Sequence, residues 1–311
     1  MPQSLNRRSL VSLKDFCAEQ IQQIIRTAQT LKLENQRGQR HPLLAGKTLA
    51  MIFQKPSLRT RVSFETGMTQ LGGHAIYLSP SDISLGQRET TEDVALVLSR
   101  YCDIIMARTF GHDIVADLAK YATVPVINGL SDEEHPCQVL ADLLTVYEKK
   151  GRLAGLKMAY VGDGNNMAHS LMFGCARVGM NMTAVTPEAY APLERVVQEA
   201  AVIGRDNGCV IDVSHSVADG VAGADVVYTD VWASMGQEAE ATERARIFEP
   251  YQVNMKLMAH AHGDAILLHC LPAHYGEEID YETTRSRHSA LFDQAENRLH
   301  AQKALMVLIA G

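Results

Sequence analysis

Several short segments combine residue types that bind anions or move protons. The first is Lys55-Pro56-Ser57-Leu58-Arg59-Thr60-Arg61, in which hydroxyl and arginine side chains stand where a helix is expected to begin. The free N–H groups and positive dipole end of such a helix favour a bound phosphate, and Arg59 adds a fixed charge. Ser57 could instead be a plain N-cap. The segment therefore predicts an anion site, with a purely structural cap as the open alternative.

Arg108 and the segment His135-Pro136-Cys137-Gln138 offer groups that could hold an oxyanion. Arg108 ends an apolar run, where an arginine must find an anion or stay exposed, so the alternative is a structural ion pair. Pro136 suits the first position of a helix, and a histidine just before it could donate to an oxyanion or cap the helix. Gln138 lies one turn further on and could share a ligand with His135.

Two features resemble parts of known cofactor-binding patterns, one for a dinucleotide and one for zinc. Neither pattern is complete. Gly162-Asp163-Gly164-Asn165-Asn166 resembles the start of a dinucleotide fingerprint, yet Met167 replaces the third glycine. The next strand ends at Val185-Thr186-Pro187 and not at an acid that would hold a ribose. The histidines and cysteines of 135–137 and 269–274 lack the spacing of a zinc site. We therefore predict no metal and no other cofactor.

These segments belong to a chain in which strand-like and helical patterns alternate. A first helix is expected from Leu13 to about Leu31, after a capping pattern of Ser12 and Asp15. The strand-like runs are Thr48–Phe53, Ala75–Leu78, Asp103–Ala107, Val124–Ile127, Lys157–Val161, Met182–Val185, Cys209–Val213, Val226–Thr229 and Ala265–His269. Most are uninterrupted apolar stretches, as in strands buried on both faces of a parallel sheet. Because ligands bind beyond the carboxyl ends of such strands, the polar clusters that follow six of them predict one functional rim.

The predicted fold class is α/β, with two doubly wound parallel-sheet domains of similar size joined by helices. Pro136–Lys150 has the pattern of one helix that ends before Gly151, so the domain boundary is expected there. The expected domains are residues 1–150 and 151–294. The final helix, about 295–311, is expected to pack back on the first domain.

Bulk composition argues against several classes of protein. The formal net charge is −7 and no cluster of Lys and Arg is present, so nucleic acid is not an expected partner. No run approaches the roughly 18 apolar residues of a membrane span. The six cysteines are Cys17, Cys102, Cys137, Cys175, Cys209 and Cys270. None belongs to a C-x-x-C pair, which is typical of free thiols in a reducing compartment. We expect a soluble, cytoplasmic protein.

Five motifs together resemble those of ornithine carbamoyltransferases, within the aspartate/ornithine carbamoyltransferase family. They are Ser57–Arg61, His135–Gln138, Asp230–Glu238, His269–His274 and Gln294–Arg298. The first two are shared across carbamoyltransferases and imply carbamoyl phosphate, whereas the third and fourth imply ornithine. The likeness covers nearly the whole chain, in order and with the expected spacing. It implies transfer of a carbamoyl group to the side-chain amine of L-ornithine, which gives L-citrulline and phosphate in arginine metabolism. The sequence leaves open whether the reaction runs towards arginine synthesis or backwards to yield carbamoyl phosphate.

The resemblance also implies roles for individual residues. Carbamoyl phosphate would be bound by Ser57, Leu58, Arg59, Thr60, Ser84, Arg108, His135 and Gln138. Ornithine would be bound by Asn166, Asp230, Ser234, Met235, Cys270, Leu271 and Arg298. The catalytic residues would be Thr60, Arg108, His135 and Cys270. A homotrimer or a multiple of trimers is implied as the assembly, with no cofactor.

Three positions depart from the family pattern. Leu58 replaces the threonine of Ser-Thr-Arg-Thr, which is harmless where backbone N–H groups bind the phosphate. The loop Ser79–Arg88 usually supplies a glutamine to a neighbouring subunit's site. Here Ser84 stands at that position, and Gln87 follows three residues later. Tyr275 stands where many relatives have arginine.

Three other functions remain as alternatives. A nicotinamide oxidoreductase would use the α/β fold and Gly162–Asn166, but Met167 and the missing ribose acid argue against it. A catalytically silent relative would act as a binding or regulatory subunit. The presence of a full reactive set argues against that reading: Arg59, Arg108, His135, Asp230 and Cys270. Within the family, putrescine or an N-acylated ornithine could replace ornithine, against the two ornithine-type motifs.

Overall fold

The computed structural model describes residues 4–83, 85, 89–233 and 240–311. Contacts within the chain divide it into two compact units. One comprises Met1–Leu144 with Glu296–Gly311, and the other comprises Thr145–Ala295. Two helices, Pro136–Lys150 and Leu291–Ala310, carry the chain from one unit to the other.

A four-stranded parallel sheet organises the first unit. Its strands are β1 (Thr48–Phe53), β2 (His74–Leu78), β3 (Ile104–Arg108) and β4 (Val126–Leu130). They lie in the order β2-β1-β3-β4, and every pairing is parallel. The helices are α1 (Ala18–Gln36), α2 (Leu58–Gln70), α3 (Pro80–Ile83), α4 (Thr91–Tyr101), α5 (His112–Tyr121) and the first part of α6 (Pro136–Lys150). Most of the final helix of the chain also belongs to this unit.

A five-stranded parallel sheet organises the second unit. Its strands are β5 (Lys157–Val161), β6 (Asn181–Val185), β7 (Ile211–Ser214), β8 (Val226–Thr229) and β9 (Ile266–His269). They lie in the order β7-β6-β5-β8-β9, again with parallel pairings throughout. The helices are α7 (Asn166–Val178), α8 (Glu194–Asp206), α9 (Val217–Val221), α10 (Ala241–Phe248), α11 (Met255–Met258), α12 (Tyr281–Thr284) and the start of α13 (Leu291–Ala310).

The chain reverses direction across each sheet at one point. It runs outwards from β1 to β2 and returns to β3 on the other side of β1. It likewise runs from β5 through β6 to β7 and returns to β8 on the other side of β5. Right-handed crossovers place helices on both faces of such a sheet, and a crevice opens where the direction changes. The predicted class of two parallel α/β sheets is confirmed, and the points where the direction changes lie between β1 and β3 and between β5 and β8.

Burial explains why the central strands are continuous apolar runs. In β1, every residue from Leu49 to Phe53 is buried, as is the whole of the inner strands β3 and β8. Strands covered on both faces have no solvent side, so alternation with polar residues is lost. Of the four edge strands, β2 and β7 contain exposed residues and are less uniformly apolar, whereas β9 is buried throughout.

The first helix begins later than its sequence pattern predicted. Ser12 caps only a 3₁₀ turn, Leu13–Asp15. A second capping signal then starts α1 at Ala18, where the Gln20 side chain accepts the N–H of Cys17 at 3.0 Å. Two cap patterns in succession therefore separate a turn from the helix that it precedes.

Gly164 allows the loop after β5 to lie directly against the turn that follows β6. Its N–H donates to the Tyr190 carbonyl at 2.8 Å. A Cβ at this position would overlap Pro192 N and Ala191 C, and would lie 2.6 Å from Tyr190 O. These are backbone atoms, so a side chain here cannot be relieved by a rotamer change.

We expect Gly164→Ala to lower the free energy of unfolding by about 2 kcal/mol, the usual cost of overpacking a close contact. Chemical denaturation measures the change. Gly263→Ala is the matched control, because a Cβ at Gly263 meets nothing within 4 Å. Equal stabilities of the two variants would contradict the proposed close approach.

Candidate active site

Ser57 caps α2, the helix that follows β1. Its Oγ accepts the N–H of Thr60 at 3.2 Å. Since the first N–H groups of a helix have no partner inside it, those of Leu58 and Arg59 remain available to a ligand. The Leu58 side chain is 74% exposed, so this residue contributes to the helix start through its backbone. The arrangement suits an oxyanion at the helix N-terminus.

Six residues of the first unit form a group that we call the basic cluster. Its members are Arg59, Thr60, Arg108, His135, Gln138 and Arg298. All except Arg59 are buried, with no more than 6% of the side chain exposed. Arg298 donates to Gln138 Oε1 at 2.8 Å and to Thr60 Oγ1 at 3.4 Å. The cluster thus joins residues from the start of α2, the end of β3 and the start of α6 to one arginine of α13.

Positive charge dominates this cluster. Burial lowers the pKa of His135 well below its ordinary value, and Arg298, Arg108 and Arg59 lower that pKa further. His135 is therefore a neutral imidazole near pH 7, able to donate one hydrogen bond. Burial and Arg108 also lower the pKa of Lys55. An anion bound here would relieve the repulsion among the arginines.

Asp230 is the centre of a second group, in the second unit. Thr229, the last residue of β8, pairs with Val161 of β5 on one side and with His269 of β9 on the other. The residues that follow these three strands therefore leave the sheet side by side. Cys270 Sγ donates to Asp230 Oδ1 at 2.9 Å.

A carboxamide holds the other oxygen of Asp230. Asn165 Nδ2 donates to Asp230 Oδ2 at 3.2 Å. Both of these donors are neutral groups, and Asp230 is only 7% exposed. We call Asp163, Asn165, Asp230 and Cys270 the carboxylate cluster.

Asp163 contributes a second carboxyl group, whose charge is compensated. Burial raises its pKa to about 6, although Arg244 lowers it. Arg244 Nη1 lies 3.1 Å from Asp163 Oδ2 and donates to Trp232 O at 2.9 Å. Its guanidinium also lies 4.7 Å from the centre of the Tyr190 ring. Asp230 is therefore the carboxylate of this cluster without an arginine partner among the described residues.

A buried histidine shapes the turn that carries Cys270. His269 Nδ1 accepts the N–H of Leu271 at 2.8 Å, so the ring proton is on Nε2, which lies 3.0 Å from Glu278 Oε1. Glu278 Oε1 also accepts the N–H of His274 at 2.7 Å. Leu271 has a φ of +60°, a left-handed conformation uncommon for leucine. The hydrogen bond from its N–H to His269 holds Leu271 in this conformation, directly after Cys270.

Two groups of ligand atoms lie close enough together to be compared with metal sites. They are Asp230, His269 and Cys270, and His274, Glu277 and Glu278, each with ligand atoms within 4.8 Å. Both ring nitrogens of His269 already have partners within the chain, and Cys270 donates to Asp230. Hydrogen bonding within the chain accounts for the first group, and we assign no metal to it.

Several predicted site residues fall outside these clusters. Asn166 is the first residue of α7, next to the cap residue Asn165. Ser84, Ser234 and Met235, like Gln87, lie outside the described residues. Arg61 pairs with Glu65 and lies over the Tyr77 ring, which gives it a structural role.

Four residues hold the clusters in place in a way that the sequence did not predict: Asn165, Asp163, Arg244 and Glu278. A signal existed for Asn165, since an asparagine directly before a helical pattern predicts an N-cap. Arg244 and Glu278 reach their partners only through the fold, and no local pattern marks them.

Models of the aspartate/ornithine carbamoyltransferase family match both halves of the chain. The carbamoyl-P binding domain of that family matches residues 8–148, and its Asp/Orn binding domain matches residues 154–309. The chain belongs to the aspartate/ornithine carbamoyltransferase family.

Individual relatives agree with this class over nearly the full length. An ornithine carbamoyltransferase from Thermococcus kodakarensis is 56% identical over 308 residues, covering 99% of this chain and 98% of the relative. A relative from Pyrococcus furiosus, named an anabolic ornithine carbamoyltransferase, is 55% identical with the same coverage. A solved structure of the Pyrococcus furiosus ornithine carbamoyltransferase matches with a TM-score of 0.97 at 55% identity, covering 99% of this chain and 98% of that one.

None of the helices in the described part of the chain combines the length and the apolar character that crossing a bilayer would require.

Because the pKa of His135 is lowered in the folded chain, we expect the free energy of unfolding to depend on pH in the acidic range. Below pH 6.5 the unfolded chain protonates this histidine, whereas the folded chain does not, so stability falls as the pH is lowered. Between pH 7 and pH 5 the unfolding free energy should therefore fall more for the wild type than for His135→Gln.

Denaturant titrations at the two pH values measure this difference. His260→Gln is the control, because His260 is exposed. A wild type and a His135→Gln variant that lose stability in parallel would show that His135 accepts a proton in the folded chain.

Proposed function

We propose that this chain transfers the carbamoyl group of carbamoyl phosphate to the side-chain amine of L-ornithine, giving L-citrulline and phosphate for arginine synthesis. The family name covers both aspartate and ornithine as acceptors, so the choice between them needs a physical reason. The buried Asp230 carboxylate provides it, because its two hydrogen bond donors are neutral. Such a group attracts the ammonium of ornithine and repels the carboxylates of aspartate.

The basic cluster has the charge that carbamoyl phosphate requires. In this proposal the phosphate binds to the start of α2, with these contacts: Ser57, Arg59, Thr60 and the N–H of Leu58. Arg108, His135 and Gln138 hold the carbamoyl end. The support is the convergence of three arginine charges on a buried neutral histidine, in a unit that matches a carbamoyl-P binding domain. Ser84, which lies outside the described residues, remains a further candidate for this substrate.

The carboxylate cluster has the charge that ornithine requires. We assign the cationic amine to Asp230, with Asn166 as a neighbouring polar contact. Cys270 and Leu271 would line the reacting centre, because the Cys270 thiol is hydrogen-bonded to Asp230 and His269 holds the backbone of Leu271 beside it. Arg298, which contacts Thr60 and Gln138 in the first unit, is a further candidate for binding ornithine. Ser234 and Met235, which are not among the described residues, complete the proposed contacts to ornithine.

The reaction requires a neutral amine, although an alkylammonium has an ordinary pKa of about 10.4. The ammonium first releases one proton to the solvent. The neutral amine then attacks the carbamoyl carbon, the C–N bond forms with loss of a second proton, and the C–O bond to phosphate breaks. The phosphate leaves with the proton that the amine loses. Thr60, Arg108 and His135 would stabilise the negative charge that develops on the carbonyl oxygen. Cys270 acts in this scheme by holding Asp230 and the acceptor in place, since a thiol is a weak match for so basic an amine.

We further propose a cytoplasmic enzyme that assembles as a homotrimer or a multiple of trimers. All six cysteines are free thiols, as is usual in a reducing compartment. Helix α4 supports assembly, because it exposes a group of large side chains: Leu96, Val97 and Tyr101. Exposed apolar groups of this kind commonly lie at interfaces between subunits.

The direct test is citrulline formation from carbamoyl phosphate, with ornithine, putrescine, N-acetylornithine and aspartate offered in parallel. We expect turnover with ornithine alone. N-acetylornithine and aspartate lack a second free amine that could be bound by Asp230 as a cation, and putrescine, which has two free amines, lacks the α-carboxylate of ornithine. Turnover with a different amine would overturn the assignment of the acceptor. Folded protein without turnover on any amine would favour a silent binding subunit, and dinucleotide binding would favour the oxidoreductase reading.

Arg108→Ala tests the proposed stabilisation of the carbonyl oxygen. Loss of one such donor should lower kcat by roughly 10²–10³-fold while the protein stays folded. Circular dichroism and the citrulline assay measure the two effects. Arg37→Ala, at an exposed arginine of the same unit, is the control. A kcat within threefold of the wild type would remove Arg108 from the mechanism.

A further inference from the structure

Asn165 links the start of helix α7 to the carboxylate of Asp230. It is the N-cap of α7, and its Oδ1 accepts the N–H of Met167 at 2.9 Å and of Ala168 at 3.3 Å. Its Nδ2 donates to Asp230 Oδ2 at 3.2 Å. One side chain therefore satisfies a helix terminus and an acidic residue that follows a different strand.

The orientation of this carboxamide follows from the groups around it. Two backbone N–H groups can be accepted only by the oxygen, so the NH₂ group must point the other way, towards Asp230. The hydroxyl of Tyr160 lies 3.1 Å from the same Oδ1 and 2.9 Å from Asp163 O. Burial raises the pKa of Tyr160 well above its ordinary value, so that hydroxyl keeps its proton and acts as a further donor.

The backbone that carries Asn165 is also fixed. Gly164 lies against the turn at Tyr190, as described above, and its N–H is bonded there. Asn165 therefore has a set position and orientation before any ligand arrives. Asp230 is held between this carboxamide on one oxygen and the Cys270 thiol on the other.

We propose that Asn165 is a positioning residue for the acceptor substrate, which fixes the Asp230 carboxylate and thereby sets the affinity for ornithine. The inference rests on the proposed function, because it takes ornithine as the cation that Asp230 receives. A carboxylate has about four lone-pair sites, and the thiol and carboxamide occupy two of them. The remaining sites keep a constant direction only while both neighbours stay in place.

Two substitutions separate this role from capping the helix. Asn165→Ser and Asn165→Asp both keep an N-cap oxygen, since serine and aspartate cap about as well as asparagine. The serine is too short to reach Asp230, and the aspartate places a like charge against it. We expect the KM for ornithine to rise about tenfold or more with serine, and further with aspartate.

The two kinetic constants should respond differently. The kcat at saturating ornithine should stay within threefold, and the KM for carbamoyl phosphate within twofold, because Asn165 acts on the acceptor alone. Asn254→Ser is the matched control, since Asn254 caps α11 in the same unit through Leu257 N. It should leave both KM values unchanged.

A double-substitution cycle tests whether Asn165 acts through Asp230. In an Asp230→Asn background, Asn165→Ser should raise the KM for ornithine less than twofold further. Where turnover is too slow, calorimetric titration of ornithine gives Kd in place of KM. If Asn165→Ser raised the KM for ornithine by the same factor in the wild-type and Asp230→Asn backgrounds, the proposal would be overturned. It would also be overturned if Asn165→Ser raised both KM values equally and lowered the melting temperature.

The same experiment distinguishes the two levels of inference. If the wild type makes citrulline but Asn165→Ser and Asn165→Asp keep a normal KM for ornithine, only the positioning role of Asn165 is overturned. A wild type that makes no citrulline would overturn the proposed function together with this inference.

Discussion

Thr229 pairs with Val161 on one side and with His269 on the other, so three loops leave one sheet at the same level. In the first unit, Phe53 pairs with Arg108 in the same way. A shift of one residue in either register would turn the following side chains to the opposite face. Parallel strand register is thus the constraint on which both clusters depend. It places short polar segments, far apart in the chain, within hydrogen bonding distance of one another.

The two units concentrate opposite charges at their ligand-binding edges. The basic cluster gathers arginines around a neutral histidine, and the carboxylate cluster holds Asp230 between neutral donors. Neither arrangement is the most stable one available to a folded chain, because like charges repel and a buried carboxylate loses hydration. Neutral residues that hydrogen-bond to such groups offset part of that cost, as Gln138 does for Arg298 and Asn165 does for Asp230.

Much of this organisation could be predicted from the sequence. The apolar runs gave the strands to within a few residues, and the polar segments after them contained Thr60, Arg108, His135, Asp230 and Cys270. What could not be predicted depends on contacts between distant segments. Arg244 reaches Asp163, and Glu278 reaches His269, through packing that no local pattern records. The start of α1 was missed because two capping signals followed each other, and the first of them capped only a turn.

Glu278 Oε1 accepts hydrogen bonds from both ends of the turn 269–274. The donors are His269 Nε2–H and the N–H of His274. The shape of that turn is therefore determined from inside the unit. Tyr275, which follows it, is 47% exposed and packs edge-on against Tyr281, with ring centres 5.3 Å apart. Position 275 lies just beyond the turn that Glu278 holds. Exchange of arginine for tyrosine there therefore changes the surface of the protein but not the geometry at Cys270.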